Sequence, residues 1–123
     1  MIETIASVGL PVDEVLKIRK NRIAPEQEKD SMRRISIVTG IHGDELEGQY
    51  ICYELQRRIQ LEKEHLKGIV DIYPAMNPLG IDSITRGIPA FDLDMNRLFP
   101  GNINGNMTEY LAAEIIRDVQ GSD

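Results

Sequence analysis

The spacing of apolar and polar positions changes twice along this chain, and each change marks a new kind of element. Residues 4–9 and 14–23 alternate, with Leu16 and Ile18 set against Val15, Lys17 and Arg19, and Gly9-Leu10-Pro11 punctuates the two runs. That pattern predicts an antiparallel strand pair. Residues 25–33 are polar and charged and read as a connecting loop. Residues 34–39 are short, β-branched and apolar (Ile35, Ile37, Val38), as expected of a strand buried inside a sheet, and they end at Gly40.

From Asp44 to about Lys63 the period lengthens to that of a helix. Gly48, Ile51, Cys52, Leu55 and Ile59 line one face, while Glu47, Glu54, Arg57, Arg58 and Glu62 decorate the others. Glu45, three residues before Gly48, continues the inward stripe. A carboxylate there is costly unless something positive meets it, since the helix dipole contributes less than about 1 kcal/mol at an exposed position. A cation is therefore expected beside it. After Gly68, residues 69–74 form a second short apolar segment, and strand, helix and strand in that order predict a right-handed parallel crossover. Ligands in such sheets gather beyond the carboxyl ends of the strands, where His42 and Asn77 fall.

Residues 77–105 show no clear periodicity and hold three of the six prolines, which marks a long, specific loop of the kind that carries function. The last element is a helix over Met107–Val119, with Asn106 and Glu109 spaced as a capping box and Leu111, Ala112, Ile115 and Val119 on one face. The fold class that follows is α/β, a mixed β-sheet with flanking helices in one domain.

Composition narrows the partners. At 123 residues and 41% hydrophobic the chain suits a single core. Its 20 acidic and 14 basic residues give a net charge of -6 with the basic ones scattered, which argues against a nucleic-acid surface. A single cysteine, Cys52, excludes an internal disulfide, and Met1-Ile2-Glu3-Thr4 lacks the character of a secretory signal, so the expected location is the cytoplasm. No apolar run approaches the roughly 20 residues of a membrane helix.

The candidate chemistry begins at Gly40-Ile41-His42-Gly43-Asp44-Glu45. Zinc accepts imidazole nitrogen and carboxylate oxygen, and catalytic sites use three protein ligands with a position left for water or substrate. His42 and Glu45 would supply two of the three. The competing reading is a loop histidine near a helix-start acid stabilised by the dipole. His65, the other histidine, sits in a charged helix end and reads as solvated. Asp92, Asp94 and Asn96 open like a calcium loop, but Arg97 and Ile103 stand where that loop needs glycine and glutamate, so an EF-hand is rejected. Leu93, Met95, Leu98 and Phe99 are too apolar for a solvated turn and predict a segment pinned to the body. Arg86 and Arg97 suit carboxylate recognition or oxyanion stabilisation, with simple solvation as the alternative.

Taken together, Gly40-Ile41-His42-Gly43-Asp44-Glu45 with Gly48, Pro74-Ala75-Met76-Asn77-Pro78, Arg86, and Asp92-Leu93-Asp94-Met95-Asn96-Arg97-Leu98-Phe99-Pro100-Gly101 resemble the succinylglutamate desuccinylase/aspartoacylase family, relatives of the zinc carboxypeptidases. The resemblance covers roughly residues 34–119. It implies His42 and Glu45 as the first two ligands of one zinc ion, Arg86 as the arginine that polarises the scissile carbonyl, and Asn96 and Arg97 as the grip on a substrate carboxylate. The implied reaction is hydrolysis of the amide in a small N-acyl amino acid. The family's third ligand, a histidine, and its general-base glutamate follow a helix matching residues 111–119, so the expectation is that residues 1–123 are the amino-terminal part of a longer enzyme, with zinc weakly held or absent in this chain alone. A carboxypeptidase-like peptidase and a noncatalytic anion- or partner-binding domain are the alternatives. Acyl group and oligomeric state are not specified by these residues.

Overall fold

The computed structural model describes every residue except Glu28 and Asp30, so that part of the loop expected over residues 25–33 lies outside the described residues. β1 (Ile2–Gly9) and β2 (Val15–Ile23) pair antiparallel through a tight turn in which Val12 and Asp13 both adopt left-handed backbone. β3 (Arg34–Val38) runs parallel to β4 (Ile69–Tyr73), and β4 pairs antiparallel with β2, giving the strand order β1-β2-β4-β3. This is the mixed α/β architecture expected, with the parallel crossover made by α1 (Glu47–Leu61).

Two layers of apolar side chains cover the sheet. On one face Ile23 and Ile72 pack with Cys52 and Ile59 of α1; on the other Leu16, Ile18 and Tyr73 pack with Leu111, Ala112 and Ile115 of the final helix. That helix, Met107–Val119, begins with the capping box read from the sequence: Asn106 Oδ1 accepts from the Glu109 N–H at 3.0 Å, and Glu109 accepts from the Asn106 N–H at 2.8 Å. Among the described residues no helix is long and apolar enough to cross a membrane.

Three expectations change. β3 is an edge strand of this sheet and not an interior one, with Ile35 54% exposed, because β4 sits between it and β2 and takes the central place. α1 begins at Glu47 and not at Asp44, and Ile51 is exposed, because the helix meets the sheet along a seam containing Cys52 and Ile59 that Ile51 flanks. The stretch over 77–105 also holds a short helix, Pro78–Ser83 (α2), started by Asn77 as N-cap and Pro78 at the first turn. The final helix is accordingly α3.

Beneath the sheet lies a charged cluster that hydrophobic alternation gives no hint of. Asp71, fully buried on β4, faces Lys20 at 3.3 Å, Arg22 at 2.9 Å and Arg34 at 3.0 Å. Lys20, only 4% exposed, also donates to Asp118 of α3 at 2.8 Å, and the Tyr73 hydroxyl donates to the same carboxylate at 2.6 Å. Buried charges are tolerated only when paired and hydrogen-bonded, and here β2, β3, β4 and α3 each contribute partners.

Candidate active site

The two parallel strands end side by side, and the loops leaving them carry the candidate residues. Thr39 donates its N–H to Tyr73 O at 2.9 Å, which carries the β3–β4 ladder to its last residue, and the chain then turns at Gly40. Gly40 has φ +72, and a Cβ there would meet Pro74 O at 2.7 Å and Ala75 Cα at 2.8 Å, so the turn admits only glycine. His42 follows at the mouth of the sheet.

The ring of His42 is held from both sides. Its Nε2 lies 3.0 Å from Asp94 Oδ1, and its Nδ1 lies 3.6 Å from Glu45 Oε2. Burial pushes the Asp94 carboxyl up, but the Asn96 N–H, the His42 ring and the Arg86 guanidinium outweigh burial and hold it below the usual carboxylate range. An ionised Asp94 can only accept, so in the neutral ring Nε2 carries the hydrogen and the Nδ1 lone pair faces the Glu45 carboxylate. Two acceptors facing each other call for a cation between or beside them.

Arg86 completes the group. Its Nη1 reaches Glu45 Oε1 at 3.4 Å and its Nε reaches Asp94 Oδ2 at 3.4 Å. The loop bearing it contains three non-glycine residues with left-handed backbone, Ile84, Ala90 and Asp92, conformations that cost about 1–3 kcal/mol each and gather at functional sites. A bridge between Ile88 and Leu93 closes the loop and Ile88 anchors it in the core, while Met95, fully buried, and Phe99, packed against the core, pin the segment as its apolar spacing predicts.

The structure therefore brings His42, Glu45 and Arg86 together, and adds Asp94. Glu45 is not the inward helix residue expected: it precedes α1 in a turn, with its side chain 62% exposed, and the cation that meets it is the Arg86 guanidinium. Asn96 and Arg97 occupy the 3-10 turn Met95–Arg97 that Asp94 caps. Both are exposed, and neither side chain bonds to another described residue. His65 is 74% exposed, flanked by Glu62 and Glu64. Asp94 has no assigned role in the sequence, where it stands in the rejected calcium loop and in the family motif; a carboxylate two positions before Asn96 is the available signal, and its histidine partner lies 52 residues away.

His42 and Glu45 fit zinc by chemistry and spacing. Zn–N and Zn–O bonds of about 2.0–2.2 Å in tetrahedral geometry set neighbouring donors about 3.3–3.6 Å apart, in line with the 3.6 Å between Nδ1 and Oε2. Asp94 on the remote nitrogen is the outer partner that metal-bound histidines characteristically have. Asp94 sits on the far nitrogen, and among the described residues no group of three or more histidine, cysteine, aspartate or glutamate side chains is placed to hold a metal ion. A groove of about 460 Å³ lies between the β1–β2 hairpin, Gln56 of α1 and the segment of Pro74, Ala75 and Pro78 that leaves β4, and none of the four residues lines it.

Comparison with known proteins bears on the family and the fold. A profile of the succinylglutamate desuccinylase/aspartoacylase catalytic domain matches residues 31–121. Over 73 residues, 59% of this chain and 21% of the relative, the sequence is 38% identical to the N-alpha-acetyl-L-2,4-diaminobutyric acid deacetylase of Halomonas elongata. Among solved structures, a succinylglutamate desuccinylase/aspartoacylase from Rhodobacter sphaeroides superposes with a TM-score of 0.72 at 32% identity, covering 87% of this chain and 33% of that one. An aspartoacylase family protein from Mesorhizobium loti gives 0.72 at 27% identity, covering 94% and 36%. The chain thus spans about a fifth to a third of the length of these relatives. On the profile match over most of its length, and on a fold shared with both structures, the chain belongs to the succinylglutamate desuccinylase/aspartoacylase catalytic-domain family.

Proposed function

We propose that the intact protein containing this chain is a zinc-dependent hydrolase that removes an acyl group from a small N-acylated amino acid, and that residues 1–123 are the amino-terminal part of its catalytic domain. The observation that carries this reading is the convergence of His42 Nδ1 and Glu45 Oε2, with the remote ring nitrogen engaged by Asp94 and with Arg86 alongside. His42 and Glu45 would hold the zinc, which when bound supplies a Lewis acid that acidifies water and polarises a carbonyl. Asp94 fixes the His42 tautomer so that Nδ1 stays unprotonated. Arg86 offers fixed positive charge to the oxyanion that develops as the amide is attacked. Asn96 and Arg97, exposed beside Asp94, are free to bind the substrate carboxylate, Arg97 through a two-pronged contact. The third ligand and general base belong outside residues 1–123. A cytoplasmic setting belongs to the same reading.

The test is an assay of the intact protein against N-acetyl and N-succinyl amino acids and against short peptides with free carboxyl termini, before and after chelation. Chelator-sensitive turnover of the acyl amino acids supports the proposal. Turnover of peptides alone points to a carboxypeptidase-like enzyme, and binding of small carboxylates without turnover to a noncatalytic domain; either replaces it.

A further inference from the structure

Asn77, four residues beyond β4 at the start of α2, is 2% exposed and makes more contacts than a helix cap requires. Its backbone N–H donates to Gly40 O at 2.7 Å, tying it to the loop that carries His42. Its side-chain Oδ1 accepts from the Gly80 N–H at 2.9 Å and so caps α2. The other end of the same amide, Nδ2, donates to Gly87 O at 3.1 Å, the residue directly after Arg86. Gly87 O accepts a second bond from Thr85 Oγ1 at 3.1 Å, and the Thr85 N–H in turn donates to Gly80 O at 2.9 Å.

Capping alone does not explain an asparagine. Aspartate or serine would satisfy the Gly80 N–H equally well, but aspartate cannot donate, and serine is too short to accept from one loop and donate to another. Gly43, the neighbour of His42, packs against the same short helix so tightly that any Cβ would collide with the Gly80 carbonyl. α2 is therefore wedged between the His42 loop and the Arg86 loop, and Asn77 bonds to both.

We propose that Asn77 is a positioning residue: its amide fixes the distance between the Arg86 guanidinium and the His42–Glu45 pair. This rests on the hydrolase reading only for its consequence in turnover, because a misplacement near 1 Å costs about 10²-fold in rate.

The test is Asn77→Asp in the intact protein, which keeps the cap but turns an acceptor toward Gly87 O, with Asn77→Ser as the second variant should the first fail to fold. Crystal structures should show α2 still capped and Arg86 withdrawn from Glu45 and Asp94. With zinc content unchanged, kcat should fall at least about tenfold while KM stays within about twofold. In an Arg86→Ala background, the same substitution should cause no further loss. A variant structure with Arg86 still seated on Glu45 and Asp94, or an equal loss of kcat in both backgrounds, overturns the proposal. Absence of any acyl-amino-acid turnover in the wild type would instead overturn the hydrolase reading, and the structures would still decide the role of Asn77.

Discussion

Two clusters of opposite charge lie within this small domain, and they are built to different ends. Around Asp71 the charges are tightly paired: three cations converge on a carboxylate with no exposure, and Lys20 and Tyr73 are both hydrogen-bonded to Asp118. Around His42 the contacts to Glu45 and from Arg86 are long, at 3.4–3.6 Å, the residues sit on loops, and Glu45 and Arg86 are 62% and 50% exposed. Centred on a fully buried carboxylate and reaching from β2, β3 and β4 to Asp118, the first cluster ties the sheet to α3. The second holds an imidazole and a carboxylate 3.6 Å apart at the strand ends, open to solvent and met by a single guanidinium.

Breaking the buried cluster should give the largest effect. Asp71→Ala leaves Lys20, Arg22 and Arg34 without their shared counter-charge, and unfolding of the intact protein in urea should show a loss of about 3–5 kcal/mol. The strand-end cluster should respond in activity and not in stability. Arg86→Ala is expected to lower kcat about 10²–10³-fold with an unchanged unfolding midpoint, whereas Arg97→Ala should act mainly on KM. Asp94→Asn should weaken zinc binding about 10–100-fold in equilibrium dialysis, with stability altered by less than about 1 kcal/mol, since its ion pairs are partly solvated.

Acid sharpens the contrast. Burial pushes the Asp71 and Asp118 carboxyls up, but Arg22 and Lys20 at the first, and Lys20 and Tyr73 at the second, hold both below their ordinary 3.8. Groups with lowered folded-state values stabilise fully above the unfolded value and lose that contribution as pH falls through the folded one. Stability should therefore be level above about pH 5 with respect to these groups and decline progressively as pH falls through and below 3.8, and Asp71→Asn should flatten that decline where Asp94→Asn changes it less.

Much of this was legible in the sequence wherever the information is local. The capping box at Asn106 and Glu109, the β1–β2 hairpin and the α1 crossover all rest on spacings within a few residues, and the His42–Glu45 pairing needed only a three-residue interval. α2 was also signalled, by Asn77 followed by Pro78, but was submerged in a long aperiodic stretch. Partnerships across the chain were not legible. Nothing near Lys20 announces that Asp71 and Asp118 will surround it, nothing near Asp94 announces His42, and alternation cannot say that β4 rather than β3 lies at the centre of the sheet. Glu45 was misplaced for a related reason: the helical stripe extrapolates smoothly backward through a turn that Gly43 introduces.

Zinc stoichiometry of the intact protein tests the central claim most directly. Metal content after equilibrium dialysis should be one zinc ion per chain in the wild type and in His65→Ala, whose exposed imidazole serves as the control, and should fall to background in His42→Ala and Glu45→Ala. Full zinc occupancy in the His42→Ala protein would contradict the account.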